Sequence, residues 1–262
     1  MSQLYNIFIL EFPFLPQDDW NGKWFPNPPS NVDGSNGIKH GSQEIKEGRM
    51  PMGVISNNCD DGKTNLTVDW DDSPIDYTCF QQRSLYRPKI DVQPIEIVYN
   101  IPTEYTALHK CMDTPITYDY SIPTFGTHRP LWPKYGEYVF VPVQRWLHNL
   151  EHGALVMLYH PCADTRETQY LKNIVRNCLY RHIITPYASL TEERPLALVT
   201  WGHSLEMSKV DIVTVVNFIA TNTLRGPEAT PRDGQYDYKL LKPAKVVSNQ
   251  EDSNVCPIRS SK

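Results

Sequence analysis

Residues 146–161 read WLHNLEHGALVMLYHP. The second half, ALVMLY at 154–159, is a continuous apolar run of strand length, the pattern of a strand buried on both faces. The first half sets His148, Glu151 and His152 against that run. His148 and His152 are four apart, so they share a face on a helix and equally on a strand. Their imidazoles therefore point the same way under either reading. A helical turn would also bring Glu151 alongside His148, and Gly153 permits an abrupt change of direction into the strand.

Working outward, residues 165–182 carry Leu171, Ile174, Val175, Cys178 and Leu179 at helical spacing. Asp164 or Thr165 can cap that helix, with Glu167 in its first turn. Short strands are predicted at 183–185 and 196–201, and a second helix at 209–223 with Gly226-Pro227 ending it. Upstream, 90–98 alternates like a strand, and 117–138 reads as a long structured loop rich in Pro, Gly and aromatics. Strands followed by helices predict an α+β fold, a mixed β-sheet with helices on one face. Residues 1–90 hold Pro13, Pro16, Pro26, Pro28, Pro29, Gly34 and Gly37. They predict a long irregular Pro-rich N-terminal arm packed on the core, anchored by Trp20, Trp24, Phe25, Trp70, Tyr77 and Phe80, with Cys59 and Cys79 as candidate pins. The expected organisation is arm 1–90, core domain 91–230 and a C-terminal tail 231–262 tethered through Cys256.

The 262 residues carry a net charge of −5 and no Lys/Arg cluster interleaved with aromatics, so nucleic acid is not an expected partner. No apolar run approaches the length of a membrane span. Residues 5–10 are apolar but short and are interrupted by Glu11, without the pattern of a signal peptide. The expected localisation is secreted or secretory-pathway lumen, as a trimmed chain; an intact cytosolic protein is the alternative. The cysteines are Cys59, Cys79, Cys111, Cys162, Cys178 and Cys256, with no CxxC pair. An even, scattered set fits three disulfides, and buried free thiols are the alternative. Cys162 and Cys178 bracket the first half of the 165–182 helix and read as a disulfide rather than a nucleophile. Asn65-Leu66-Thr67 is an N-glycosylation acceptor.

Two histidines do not make a metal site, which wants three or four protein ligands. His128, His148 and His152 are the candidate ligands. His160 and His203 are other candidates for a third ligand, or with Trp201 pack around the site. Glu151 can act as ligand, as hydrogen-bond acceptor from an imidazole, or as catalytic general base. A nitrogen-rich set with one carboxylate suits Zn²⁺ or Cu²⁺ better than Ca²⁺ or Mg²⁺. The competing reading is a buried histidine hydrogen-bond network tying loop 121–138 to the sheet. His40, His109 and His182 read as surface or packing residues. There is no GxSxG elbow. Gly62-Lys63-Thr64 lacks the upstream glycines of a phosphate loop.

The succession Pro123-Thr124-Phe125-Gly126-Thr127-His128, Gly136 and Tyr138, Leu147 to Gly153, Trp201-Gly202, Phe218-Ile219 and Gly226-Pro227-Glu228 resembles the domain of unknown function 3105 family over roughly residues 95–230. The resemblance extends to its animal branch, proteins similar to tumour-protein-inducible protein 13, which are secretory-pathway proteins. It implies that His128, His148, Glu151, His152 and Trp201 are signature positions and that the His128 loop meets the LEHG segment. It supplies no activity. Three functions stay open: a secreted, disulfide-stabilised metal-binding domain; a non-catalytic extracellular matrix or structural protein that self-assembles through its Tyr- and Pro-rich arms; and a metal-dependent hydrolase or oxidase.

Overall fold

The apolar run becomes β4 (Leu155–Tyr159), the middle of a mixed sheet. The computed structural model describes residues 7–10 and 52–257. Expectations for Trp20, Trp24, Phe25, His40 and the rest of 11–51 therefore lie outside the described residues. The other strands are β1 (Ile7–Leu10), β2 (Ile95–Tyr99), β3 (Gly136–Tyr138), β5 (His182–Pro186), β6 (Leu196–Thr200), β7 (His203–Met207) and β8 (Leu240–Pro243). Their order is β1-β2-β7-β6-β4-β5-β3-β8. β4 runs parallel to β5 and antiparallel to β6, and both neighbours are wholly buried strands.

Alternation along the central strands sorts two cores onto the two faces. Leu155, Met157, Ile184, Leu196 and Leu198 point to one side, where helices α2 (Thr165–Cys178) and α3 (Ile212–Asn222) cover them. Val156, Leu158, Ile183, Ala197 and Val199 point to the other. There they meet Trp146, Leu147 and Leu150 of α1 (Val143–Glu151) together with Tyr135, just before β3, and Tyr138 at the end of β3. The α+β class with a mixed sheet is as expected. α2 and α3 share a face, and α1 joins the loops on the opposite one.

Local chemistry explains most boundaries. Asp164 caps α2, its carboxylate accepting from the amides of Arg166 (2.8 Å) and Glu167 (3.1 Å). α2 ends at Cys178 rather than 182 because the Asp252 carboxylate takes the Tyr180 and Arg181 amides at 2.5 and 3.0 Å, which holds the chain extended. α3 starts after Asp211, which accepts from Thr214 N at 2.8 Å. It stops at Asn222, before Gly226-Pro227, because Thr223 already closes it through a bond to Ile219 O. β3, β7 and β8 were not expected from the sequence. β3 and β8 are short, and β7 (HSLEM) gains its place by pairing between β2 and β6.

The disulfides are Cys59–Cys111, Cys79–Cys162 and Cys178–Cys256, with no free cysteine among the described residues. The expected Cys162–Cys178 pair is thereby corrected. The 14-residue α2 lies between them, and at 1.5 Å per residue it separates its ends by about 20 Å, far beyond disulfide reach. The tether through Cys256 holds. Irregular residues 52–94 are fixed to the core by two of these bonds and by two buried ion pairs, Asp60–Arg145 and Asp69–Arg129. Among the described residues no helix is long and apolar enough to cross a membrane.

Candidate metal centre

α1 puts His148 and Glu151 one turn apart on a wholly buried stretch. The helix then ends in a Schellman motif: Gly153 N donates to Leu150 O and Ala154 N to Asn149 O, both at 2.9 Å. Gly153 has φ +81, where a side chain would be strained. Loop 224–230 closes over this end. Leu224 N donates to Gly153 O (2.8 Å) and Glu228 N to Glu151 O (3.1 Å). A Cβ on Gly226 would stand 2.1 Å from Glu151 O, so only glycine lets the loop approach.

The His128 loop reaches the helix from the side. Arg129 N donates to Gln144 O (2.8 Å), and His148 Nδ1 faces Arg129 O at 2.6 Å. His128 Nδ1 faces Gly126 O at 2.8 Å. With each Nδ1 proton given to a carbonyl, both Nε2 atoms present lone pairs inward. His109 comes from a third segment, a short parallel bridge with His128 made by Lys110 N to His128 O and His128 N to Leu108 O, each 3.0 Å.

The result is a four-atom cluster. His109 Nε2, His128 Nε2, His148 Nε2 and Glu151 Oε2 are buried and have no hydrogen-bond partner outside this cluster among the described residues. Ligand atoms of His109, His128, His148 and Glu151 lie within 4.8 Å of one another. Glu151 Oε2 stands 3.0 Å from His128 Nε2 and 3.6 Å from His109 Nε2. Lone pairs that close repel unless a proton or a metal cation sits between them. A tetrahedral ion with bonds near 2.1 Å spaces its ligands about 3.4 Å apart. The His₃Glu cluster could therefore hold a metal ion.

The electrostatics agree. Burial works to raise the Glu151 carboxyl, but the neighbouring His109 and His128 outweigh it and hold the group at about 2. Burial, then the neighbouring His128 and His152, pushes His148 well below the usual imidazole range. His152 is pushed down to about 4 by burial, partly offset by the Glu151 charge. An ionised Glu151 beside a His148 that resists protonation suits metal ligation, which needs deprotonated ligands.

His128, His148 and Glu151 are thus brought together. His152 is not in the group of four. Its ring stays 4.6 Å from that of His148, packs on Trp132 at 4.3 Å, and turns Nε2 toward the exposed Glu228 at 4.0 Å. His109, read as a surface or packing residue, takes the fourth place. Only its bridge to His128 brings it there, and no local sequence pattern announced it. His160 lies away from the cluster, stacked on Tyr86 at 4.0 Å with Nδ1 accepting from Cys162 N. His203 sits on β7 near Glu96 at 3.6 Å. Trp201 packs with Tyr105 and Phe125, the residue before Gly126. His182 is buried, its Nδ1 donating to Leu179 O.

Residues 109–235 match the model of the family described as protein of unknown function (DUF3105). The match opens at His109 and contains all four cluster residues, which supports the resemblance seen in the sequence. No curated protein and no solved structure matches the chain.

Proposed function

We propose that this chain is a secreted or secretory-lumen, disulfide-stabilised domain that binds one transition-metal ion, Zn²⁺ or Cu²⁺, through His109, His128, His148 and Glu151. The observation that carries the reading is the set of four buried ligand atoms with no other partner. Three imidazoles and one carboxylate are a borderline donor set suited to those ions. Four protein ligands shielded from solvent resemble closed structural sites more than catalytic ones, which keep a position for water or substrate. On this reading Glu151 is a ligand and not a general base, and the ion staples two loops to α1. Hydrolysis or oxidation has no open coordination position to start from. Three disulfides are the signature of an oxidising compartment, which supports secretion and agrees with the animal-branch resemblance.

Elemental analysis of the purified native protein tests this, with His109→Ala, His148→Ala and His152→Ala beside it. The expected result is about one equivalent of Zn or Cu, lost in the first two variants and kept in the third. A folded native sample without metal overturns the reading and leaves a histidine network. Metal lost only with His152 would reassign the ligands.

A further inference from the structure

Asn65-Leu66-Thr67 sits on the described part of the arm, remote from the metal centre in sequence, and the function proposed above makes no use of it. Its presentation leaves the acceptor side chain accessible. Asn65 and Thr67 are exposed, while Leu66 between them is partly buried against the loop-side core. Leu66 therefore pins the triplet and turns its two polar residues outward. Asn65 has φ 54, a left-handed conformation that asparagine adopts more readily than most residues. It precedes the short 3-10 turn Leu66–Val68, and its side chain makes no capping bond to that turn. The amide is left facing solvent.

The platform beneath it is fixed. The Asp61 carboxylate accepts from Lys63 N and Thr64 N at 2.8 and 2.7 Å, and the Asp60 carboxylate accepts from Gly62 N at 3.0 Å. Asp60 is itself locked by the buried Arg145, and Cys59 by its bond to Cys111. After the turn, Trp70 N returns to Leu66 O at 3.0 Å, and Trp70 is buried against Phe140. Apolar residues are nonetheless left at the surface of this arm: Val68 on the same turn is 39% exposed, and Val54 and Ile55 are more open still. A bulky, hydrated group on Asn65 would shield Val68 without displacing any contact of the fold.

We propose that Asn65 carries an N-linked oligosaccharide. The inference rests on the secretory location proposed above and is independent of the metal centre. The donor is an oligosaccharide on a lipid pyrophosphate. Asn65 Nδ2 forms the bond to C1 of the first sugar, the C1–O bond to pyrophosphate breaks, and the amide proton leaves with the lipid pyrophosphate. The hydroxyl of Thr67 is the recognition element, two residues on.

The test directs the full chain into the secretory pathway of animal cells with a supplied signal peptide. Mass spectrometry then reads the peptide containing Asn65 before and after treatment with an amidase that removes N-glycans and leaves Asp in place of Asn. The expected result is conversion of Asn65 to Asp in most of the secreted chain. Asn65→Gln and Thr67→Ala should abolish the glycan, and Thr67→Ser should keep it. Secreted chain with unmodified Asn65, or a mass shift that survives Asn65→Gln, overturns the assignment. Metal content of the same material separates the two proposals. Glycan-free protein with bound metal defeats only this one, and glycosylated protein without metal defeats only the centre.

Discussion

Arg129 serves three of the four cluster residues at once. Its carbonyl accepts from His148 Nδ1, it directly follows His128, and its guanidinium holds the Lys110 and Cys111 carbonyls just past His109. Asp69 in turn fixes that guanidinium through a two-oxygen grip, with Nε at 2.9 Å from one oxygen. Lysine keeps the charge but has no planar fork to span a carboxylate and two carbonyls. Arg129→Lys is expected to weaken metal binding by about 10- to 100-fold. Competition against a chromophoric chelator measures it, and unchanged affinity would show that the ligands are placed without this anchor. A second residue, with the other buried histidines His148, His152 and His160, contributes to acid sensitivity. Burial, only partly offset by the bond to Leu179 O, pushes His182 down to about 4. Its unfolded value is near 6.5, so between those pH values the unfolded chain holds a proton that the folded chain refuses. The contribution is whole above about pH 6.5 and is lost as pH falls toward 4, up to about 3 kcal/mol. His182→Asn should flatten the pH dependence of the unfolding midpoint in that window; an unchanged slope would assign the loss to other groups.

Among the elements, α1 shows best where sequence reasoning succeeds and where it stops. The spacing of His148 and His152 left helix and strand open, and Gly153 permitted a change of direction; the structure makes the segment a helix ending in a Schellman motif. The spacing of His148 and His152 also put both on one face, and their rings do touch, yet contact did not bring His152 into the group of four. A shared face fixes direction, while ligation depends on where the ring nitrogens aim. Gly153→Ala should destabilise the protein by about 1–3 kcal/mol, because φ is positive there. The new Cβ would also lie 2.9 Å from Leu224 Cα. Denaturant unfolding would register this, and a shift near zero would mean that the end of α1 can relax. β4, β5 and β6 were readable because strands buried on both faces are apolar throughout. β3 and β8 were not, since three- and four-residue strands containing Gly136 and Pro243 carry no periodic signal.

At the scale of the whole molecule the ion, if bound, joins segments that disulfides and buried ion pairs already hold in place. Ligand binding to the folded state alone adds on the order of 3 kcal/mol when free metal stands a hundredfold above its dissociation constant. Chelator-stripped protein should therefore melt several degrees below the native sample, and readdition of Zn²⁺ or Cu²⁺ should restore it. Equal Tm values with and without chelator would deny the ion a stapling role. The sequence by itself determined the α+β class and the central strands, narrowed the α2 cap to Asp164 or Thr165, and put His148 and His152 on one face. Each is written in residues close in the chain, where periodicity and capping chemistry act locally. Only the tertiary structure decided that His109 completes the cluster, that Cys79 pairs with Cys162 and Cys178 with Cys256, and that Gly226 packs against the end of α1. Those are meetings of distant segments, set by sheet order and by which loops can reach each other, and no local pattern encodes them.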